Sequence, residues 1–297
     1  MIVASGLIGE IPSSFSNLKA LSSLSLGDNY LSGKIPSSLS NLKKLSYLDL
    51  HGNYLNGTIP SSLSNLKELS YLVLHRNYLS GPIPASLGNL TKVTDIMLQY
   101  NNFTGQIPSS LSNLKYLNVI DLSYNKFEGS IPVSLGNLTK VTEIKLQCNN
   151  FTGHIPSSLS NLKDLAFIDF SYNNFEGSIP VSLGNLTKVT DIMLQYNNFT
   201  GQIPSSLSNL KYLNVIDLSY NKFEGSHQVA VTMKAMIPVR GNYGGVGYYS
   251  EVPRGSYQDS IEGDKAYQPK TQAKKKLMPR GLILCYGLMC ALRYYWK

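Results

Sequence analysis

The chain has 297 residues, of which 42% are hydrophobic and 15% charged, so a large core is within reach. Its three cysteines, Cys148, Cys285 and Cys290, are too few for a disulfide framework. The net charge of +8 is unevenly placed: residues 1–225 net +1 and residues 226–297 net +7, so nucleic-acid binding by the first 225 residues has no electrostatic support.

Taken from its start, the chain shows neither the basic opening nor the apolar run of a secretory leader. Leu7, Gly9, Ile11 and Pro12 already fit the second half of a repeating unit, so the sequence reads as beginning within a repeat. The full unit is visible from Leu18: Leu18-x-x-Leu21-x-x-Leu24-x-Leu26-x-x-Asn29-x-Leu31-x-Gly33-x-Ile35-Pro36-x-x-Leu39. It recurs every 24 residues, marked without slippage by Asn29, Asn53, Asn77, Asn101, Asn125, Asn149, Asn173, Asn197 and Asn221. A fixed period of this length predicts stacked supersecondary units whose core grows along one axis.

Within the unit, Leu24-Ser25-Leu26 alternates apolar and polar, the period-2 pattern of a short half-buried strand. One strand per unit, stacked at about 4.8 Å, gives a parallel sheet. The leucines face the core and the residues between them face outward. The chain must turn after each strand, and the asparagine side chain, both donor and acceptor, can satisfy the backbone groups buried there. Gly33 and its equivalents suit a turn. The following Ile-Pro marks where the chain leaves regular pairing, because proline fixes φ and donates no hydrogen bond.

With asparagine, glycine and Ile-Pro in register over about residues 7–225, the unit resembles the plant-type leucine-rich repeat. Phrases such as NLTKVTDIMLQYNNFTGQIP look most like the ectodomains of plant receptor-like proteins and receptor-like kinases. The resemblance implies an α/β-type repeat solenoid: a curved leucine-rich-repeat array with a concave parallel β-sheet, a short second strand near LxGxIP, and irregular or 3₁₀ structure on the convex side. It also implies a peptide or protein ligand, a co-receptor partner, no cofactor, and a place at the extracellular side of the plasma membrane or in the cell wall. Membrane association is expected from the resemblance alone. Polygalacturonase inhibitors share this repeat, so a soluble inhibitor of a wall enzyme is an alternative; a gene fragment without a function of its own is another.

The outward positions of the predicted strands form columns that are candidates for ligand binding. One column contains Tyr47, Tyr71, Asp95, Val119, Glu143, Phe167 and Asp191. A second contains Arg76, Tyr100, Tyr124, Tyr172 and Tyr196, interrupted by Cys148. Tyrosine and arginine are enriched in binding hot spots, although a tyrosine column can also be repeat consensus shielding the sheet. His51 and His75 occupy equivalent positions one unit apart, with Asp49 on the same face. They read either as surface residues copied by duplication or as two ligands of a metal that would need a third.

Seven Asn-x-Ser/Thr sequons, at Asn56, Asn89, Asn102, Asn137, Asn150, Asn185 and Asn198, are compatible with N-glycosylation. Residues 86–130 are identical to residues 182–226, which recent duplication explains and a ligand with a matching long period would also explain. At His227-Gln228 the repeat stops, and residues 226–297 read as a basic Gly/Tyr-rich tail in loop or disorder. Lys274, Lys275 and Lys276 read as a solvated charge run, with a localisation or phosphate-binding run as the alternative. The apolar stretch 281–292 is too short to span a bilayer and suits an interfacial helix or a hydrophobic end. No catalytic constellation is visible, and no kinase motif follows the repeats: Gly241 to Gly247 lacks the GxGxxG spacing. The expected function is therefore non-catalytic recognition.

Overall fold

The computed structural model describes residues 2–3 and 5–224. The stretch 226–297 and its apolar segment 281–292, read above as a tail, lie outside the described residues. Each 24-residue unit contributes one strand to an inner sheet, one strand to an outer sheet and one short 3₁₀ helix between them. The inner, concave sheet runs in chain order through Ile2–Val3, Ser23–Ser25, Tyr47–Asp49, Tyr71–Val73, Asp95–Met97, Val119–Asp121, Glu143–Lys145, Phe167–Asp169, Asp191–Met193 and Val215–Asp217. All of its pairings are parallel, and from Ser23–Ser25 onward they keep strict 24-residue register, for instance Tyr47 with Tyr71 and Val119 with Glu143. The outer sheet runs from Ile8–Glu10 to Lys222–Phe223. Among the described residues there is no α-helix.

The unit is too short for one. Pro36 sits before Ser37–Asn41 with φ −65°, and the Leu39 amide donates to the Pro36 carbonyl at 3.1 Å, an i to i+3 bond that starts a 3₁₀ turn. Leu42 ends it after five residues, its amide returning to the Leu39 carbonyl. The same geometry recurs through Ser205–Asn209. Neighbouring turns are tied by serine: Ser62 Oγ donates to the Ser37 carbonyl at 3.1 Å, and Ser86 Oγ to that of Ser61 at the same distance.

The core between the two sheets is one continuous apolar column set. Leu42, Leu45, Leu48 and Leu50 are fully buried, as are their counterparts in later units. From the fourth repeat onward the outer strands contribute Phe103, Phe127, Phe151, Phe175 and Phe199, where earlier units have Leu31, Leu55 and Leu79. Adjacent phenylalanine rings stack at 5.9–6.2 Å. Offset aromatic pairs at this spacing add about 0.5–1.5 kcal/mol each beyond their area burial.

Each asparagine works between repeats. Asn101 Oδ1 accepts the Leu79 amide at 2.9 Å, and its Nδ2 donates to the Leu74 carbonyl at 3.0 Å. Within its own unit, Nδ2 also reaches the Leu98 carbonyl at 3.1 Å. The same pattern holds at Asn53, Asn77, Asn125, Asn149, Asn173, Asn197 and Asn221, and at Asn29 the Oδ1 accepts the Leu7 amide. A donor and an acceptor are therefore used simultaneously at a buried bend, a combination that an apolar or a singly functional side chain cannot supply.

Candidate functional site

The three residues of an inner strand point alternately out, in and out, and the next outward position follows the strand after one more leucine. The first outward column is the one anticipated from the sequence: Tyr47, Tyr71, Asp95, Val119, Glu143, Phe167 and Asp191, continued by Val215. Tyr47 and Tyr71 meet there at 5.6 Å between ring centroids. The alternation rule defines two more columns that the sequence reading touched only at Asp49 and the histidines. One is Asp49, Val73, Met97, Asp121, Lys145, Asp169, Met193 and Asp217; the other is His51, His75, Gln99, Ser123, Gln147, Ser171, Gln195 and Ser219.

Arg76, Tyr100, Tyr124, Tyr172 and Tyr196, read from the sequence as outward strand positions, are placed in the turn beyond the strand. Their φ values are 55°, 58°, 53°, 53° and 57°, and Cys148 in the same column has 57°. Bulky residues rarely adopt this left-handed conformation. Two bonds between repeats hold it: the Tyr124 amide donates to the Gln147 carbonyl at 2.9 Å, and the Tyr124 carbonyl accepts from the Asn101 amide at 3.2 Å. The rings then stack along the edge of the sheet, Tyr100 on Tyr124 at 4.3 Å and Tyr172 on Tyr196 at 4.4 Å, with Arg76 over the Tyr100 ring at 5.9 Å. The buried Cys148 separates the two stacks. Burial pushes the Tyr124 hydroxyl well above the ordinary phenol range.

Near the N-terminal end, His51 is held between two carboxylates. Its Nδ1 lies 2.6 Å from Asp49 Oδ1 and its Nε2 3.2 Å from Asp28 Oδ2. Burial alone would lower its pKa, but hydrogen bonding and charge from Asp49, with Asp28 adding to them, outweigh that and raise it. His75 stacks on it at 4.7 Å between ring centroids. Burial, the neighbouring His51 and Arg76 depress the His75 pKa to about 4, and its Nδ1 is buried without a partner among the described residues. No group of three His, Cys, Asp or Glu side chains among the described residues is placed to hold a metal ion.

On the same face Asp121 is buried and Asp169 half-buried, each held by the serine two residues on. Oδ1 of Asp121 accepts the Ser123 amide at 3.0 Å and the Ser123 hydroxyl at 2.6 Å, and Asp169 does the same with Ser171. Burial raises both pKa values, and these hydrogen bonds offset only part of the rise. Between them, Lys145 Nζ pairs with Glu143 Oε2 at 2.6 Å and lies 5.2 Å from the centroid of the Phe167 ring.

The sequons fall away from this face. Asn89, Asn137 and Asn185 are exposed at the last residue of their 3₁₀ helices. Asn56 is exposed and Asn102, Asn150 and Asn198 are half-buried, all in outer-sheet strands. Among the described residues no helix is long and apolar enough to cross a membrane.

Leucine rich repeat family profiles match residues 4–55 and 91–151, and, with a second profile of the same description, residues 68–90, 164–186 and 188–210. No curated protein sequence matches the chain. Among solved structures, the ectodomain of the Arabidopsis thaliana membrane receptor kinase GASSHO1/SCHENGEN3, in complex with CASPARIAN STRIP INTEGRITY FACTOR 2, is 40% identical with a TM-score of 0.72. The match covers 73% of this chain and 26% of that one. The Arabidopsis receptor kinase HAESA, in complex with the peptide hormone IDA and the co-receptor SERK1, is 35% identical with a TM-score of 0.65, over 74% of this chain and 41% of that one. A plant ice-binding protein is 29% identical with a TM-score of 0.66, over 74% of this chain and 71% of that one. The chain thus spans about a quarter to two fifths of the two receptor chains.

Proposed function

Because the chain belongs to the leucine-rich repeat family of the plant type, we propose that it is a non-catalytic recognition module whose concave sheet binds a peptide or protein ligand. The observation that carries this reading is the inner sheet itself, whose outward face is uncovered among the described residues. Its outward side chains are not spent on the fold, since the core is filled from the opposite side of the same strands. They combine aromatic groups such as Tyr47, Tyr71 and Phe167 with charged ones such as Asp95, Glu143 and Asp191, the mixture that desolvates and orients a partner. HAESA, similar to this chain, is in complex with a peptide hormone and a co-receptor, which supports the same class of partner here.

An extracellular location and N-glycosylation at the seven sequons belong to the same reading; a fall in mass on enzymatic N-glycan removal is the expected result for the protein isolated from its source. The binding reading is tested by retention of secreted peptides on the immobilised full chain. Asp95→Lys with Glu143→Lys is expected to abolish retention, whereas Glu128→Lys with Glu176→Lys, on the exposed outer sheet, is expected to leave it intact. Equal retention by both variants would remove the basis for a concave site. A second reading, binding of ordered ice, is favoured by the coverage of most of the plant ice-binding protein. Inhibition of ice recrystallisation by the full chain would support it, and its absence would dismiss it.

A further inference from the structure

The near-zero net charge of the repeats conceals a segregation of charge. From Asp95–Met97 to Val215–Asp217, every inner strand carries one outward carboxylate: Asp95, Asp121, Glu143, Asp169, Asp191 and Asp217. The position alternates between the first and the third residue of successive strands, so the carboxylates form a zigzag over six strands. At about 4.8 Å per strand the zigzag is about 24 Å long. Lys145 is the one basic side chain in these two columns of the six strands. The compensating lysines lie elsewhere: Lys92, Lys115, Lys140, Lys163, Lys188 and Lys211 are exposed in the turns that lead into the strands.

Two further observations bear on what this track holds. Lys145 already seats an ammonium on it, between the Glu143 carboxylate at 2.6 Å and the Phe167 ring at 5.2 Å. The face thus shows how it holds a cation: a carboxylate in contact and an aromatic ring beneath. Asp121 is only 7% exposed, yet its Oδ2 takes no hydrogen bond among the described residues, because both Ser123 donors go to Oδ1. Nearby, Gln147 Oε1 is a buried acceptor without a partner among the described residues. An open carboxylate oxygen and an unpaired buried acceptor, along a track of one sign, suit donors that carry positive charge.

Resting on the proposed ligand-binding role of the concave sheet, we infer that the carboxylate zigzag is a docking track for an extended cationic peptide, whose lysine or arginine side chains pair with Asp121, Asp169 and their neighbours. Successive side chains on one face of an extended strand are about 7 Å apart, so a track of this length accommodates three or four of them. Low-dielectric walls around Asp121 and Asp169 strengthen each pairing and make the track selective against anionic peptides. The burial that raises the pKa of these two carboxyls disfavours their charge, and an incoming cation offsets that cost.

The test uses the full chain and a fluorescent peptide of six Lys-Ser repeats, with a Glu-Ser peptide of equal length as its counterpart. The lysine peptide is expected to bind at least tenfold more tightly at physiological salt and to weaken steeply as salt rises. Asp121→Asn with Asp169→Asn is expected to lose at least fivefold, while Glu128→Gln with Glu176→Gln, which removes as much charge from the outer sheet, is expected to change nothing. Carbodiimide coupling then locates the contact: cross-links from Asp121 or Asp169 to the peptide support the assignment. Equal affinity for both peptides, equal losses in the two variants, or cross-links from these carboxyls to lysines of residues 226–297 in place of the peptide would overturn it. Secreted peptides that bind through the concave face but are neutral or acidic would also overturn it, while leaving the recognition role standing.

Discussion

Asn101 holds Leu79 across the repeat boundary: its Oδ1 accepts the Leu79 amide at 2.9 Å while its Nδ2 reaches back to the Leu74 carbonyl at 3.0 Å. The outer strand of one unit is thereby fixed by the turn of the next. Asn101→Ala leaves buried groups unpaired at about 1–3 kcal/mol each, so a loss of at least about 2 kcal/mol is expected in denaturant unfolding. Asn101→Asp preserves the acceptor but removes the donor and buries a charge; it is expected to be at least as damaging at neutral pH. A mild aspartate variant would show that the donor half of the arrangement carries no weight.

The phenylalanine column tolerates one change and not another. Phe151 is fully buried between Phe127 and Phe175. Phe151→Ala is expected to cost about 3–5 kcal/mol. Phe151→Leu places in the column the residue that Leu55 and Leu79 already supply in earlier units, and is expected to cost about 1 kcal/mol. Thermal unfolding of the two variants side by side decides this.

The tyrosine stacks are interrupted at Cys148 although its backbone matches theirs. Cys148→Tyr would join the Tyr100–Tyr124 stack to the Tyr172–Tyr196 stack, and each new ring pair contributes about 0.5–1.5 kcal/mol. A rise in melting temperature is expected. A fall would mean that the buried space around Cys148 is shaped for the smaller side chain.

His51 and His75 make opposite contributions to the pH dependence of stability. The raised His51 pKa gives stability that is fully present below the unfolded value near 6.5 and is lost as pH rises through the folded value. The depressed His75 pKa works the other way: between about 6.5 and about 4 the unfolded chain binds a proton that the folded chain refuses, so stability falls as the pH falls. His75→Gln is expected to flatten the acid limb, measured as the change in melting temperature between pH 7 and pH 4.5. An unchanged acid limb would place the sensitivity at another group.

Asp121 and Asp169 trade stability for binding. Burial raises both pKa values, so the folded state takes up a proton more readily than the unfolded one, and their contribution to stability declines as pH rises through the range where they ionise. Asp121→Asn keeps an acceptor for the Ser123 amide and hydroxyl but carries no buried charge. The variant is expected to melt at the same or a higher temperature at pH 7 while binding the lysine peptide less well. A destabilised variant would make the carboxylate part of the fold.

Much of the fold was legible because its determinants are local and repeated. Leu24-Ser25-Leu26 announced the strand, Ile35-Pro36 the exit from pairing, and the asparagine column the stacked units. The columns beyond the first were harder to read, for two physical reasons. Tyr100 and Tyr124 follow directly on the outward Gln99 and Ser123, where strict alternation would turn them inward, but the chain has already turned left-handed there, held by bonds to residues 23 positions away. The carboxylate zigzag emerges only when two repeat types alternate, because Asp95 lies first in its strand and Asp121 third in the next. Neither column alone is continuous, and the net charge of the repeats averages the zigzag against the exposed lysines.

The most direct measurement of the central claim is carboxyl footprinting of the full chain, with and without the secreted peptide fraction. Binding on the concave sheet predicts protection of Asp95, Glu143 and Asp191, with Glu128 and Glu176 labelled as before. Protection confined to the outer-sheet glutamates, with the inner columns unchanged, would contradict it.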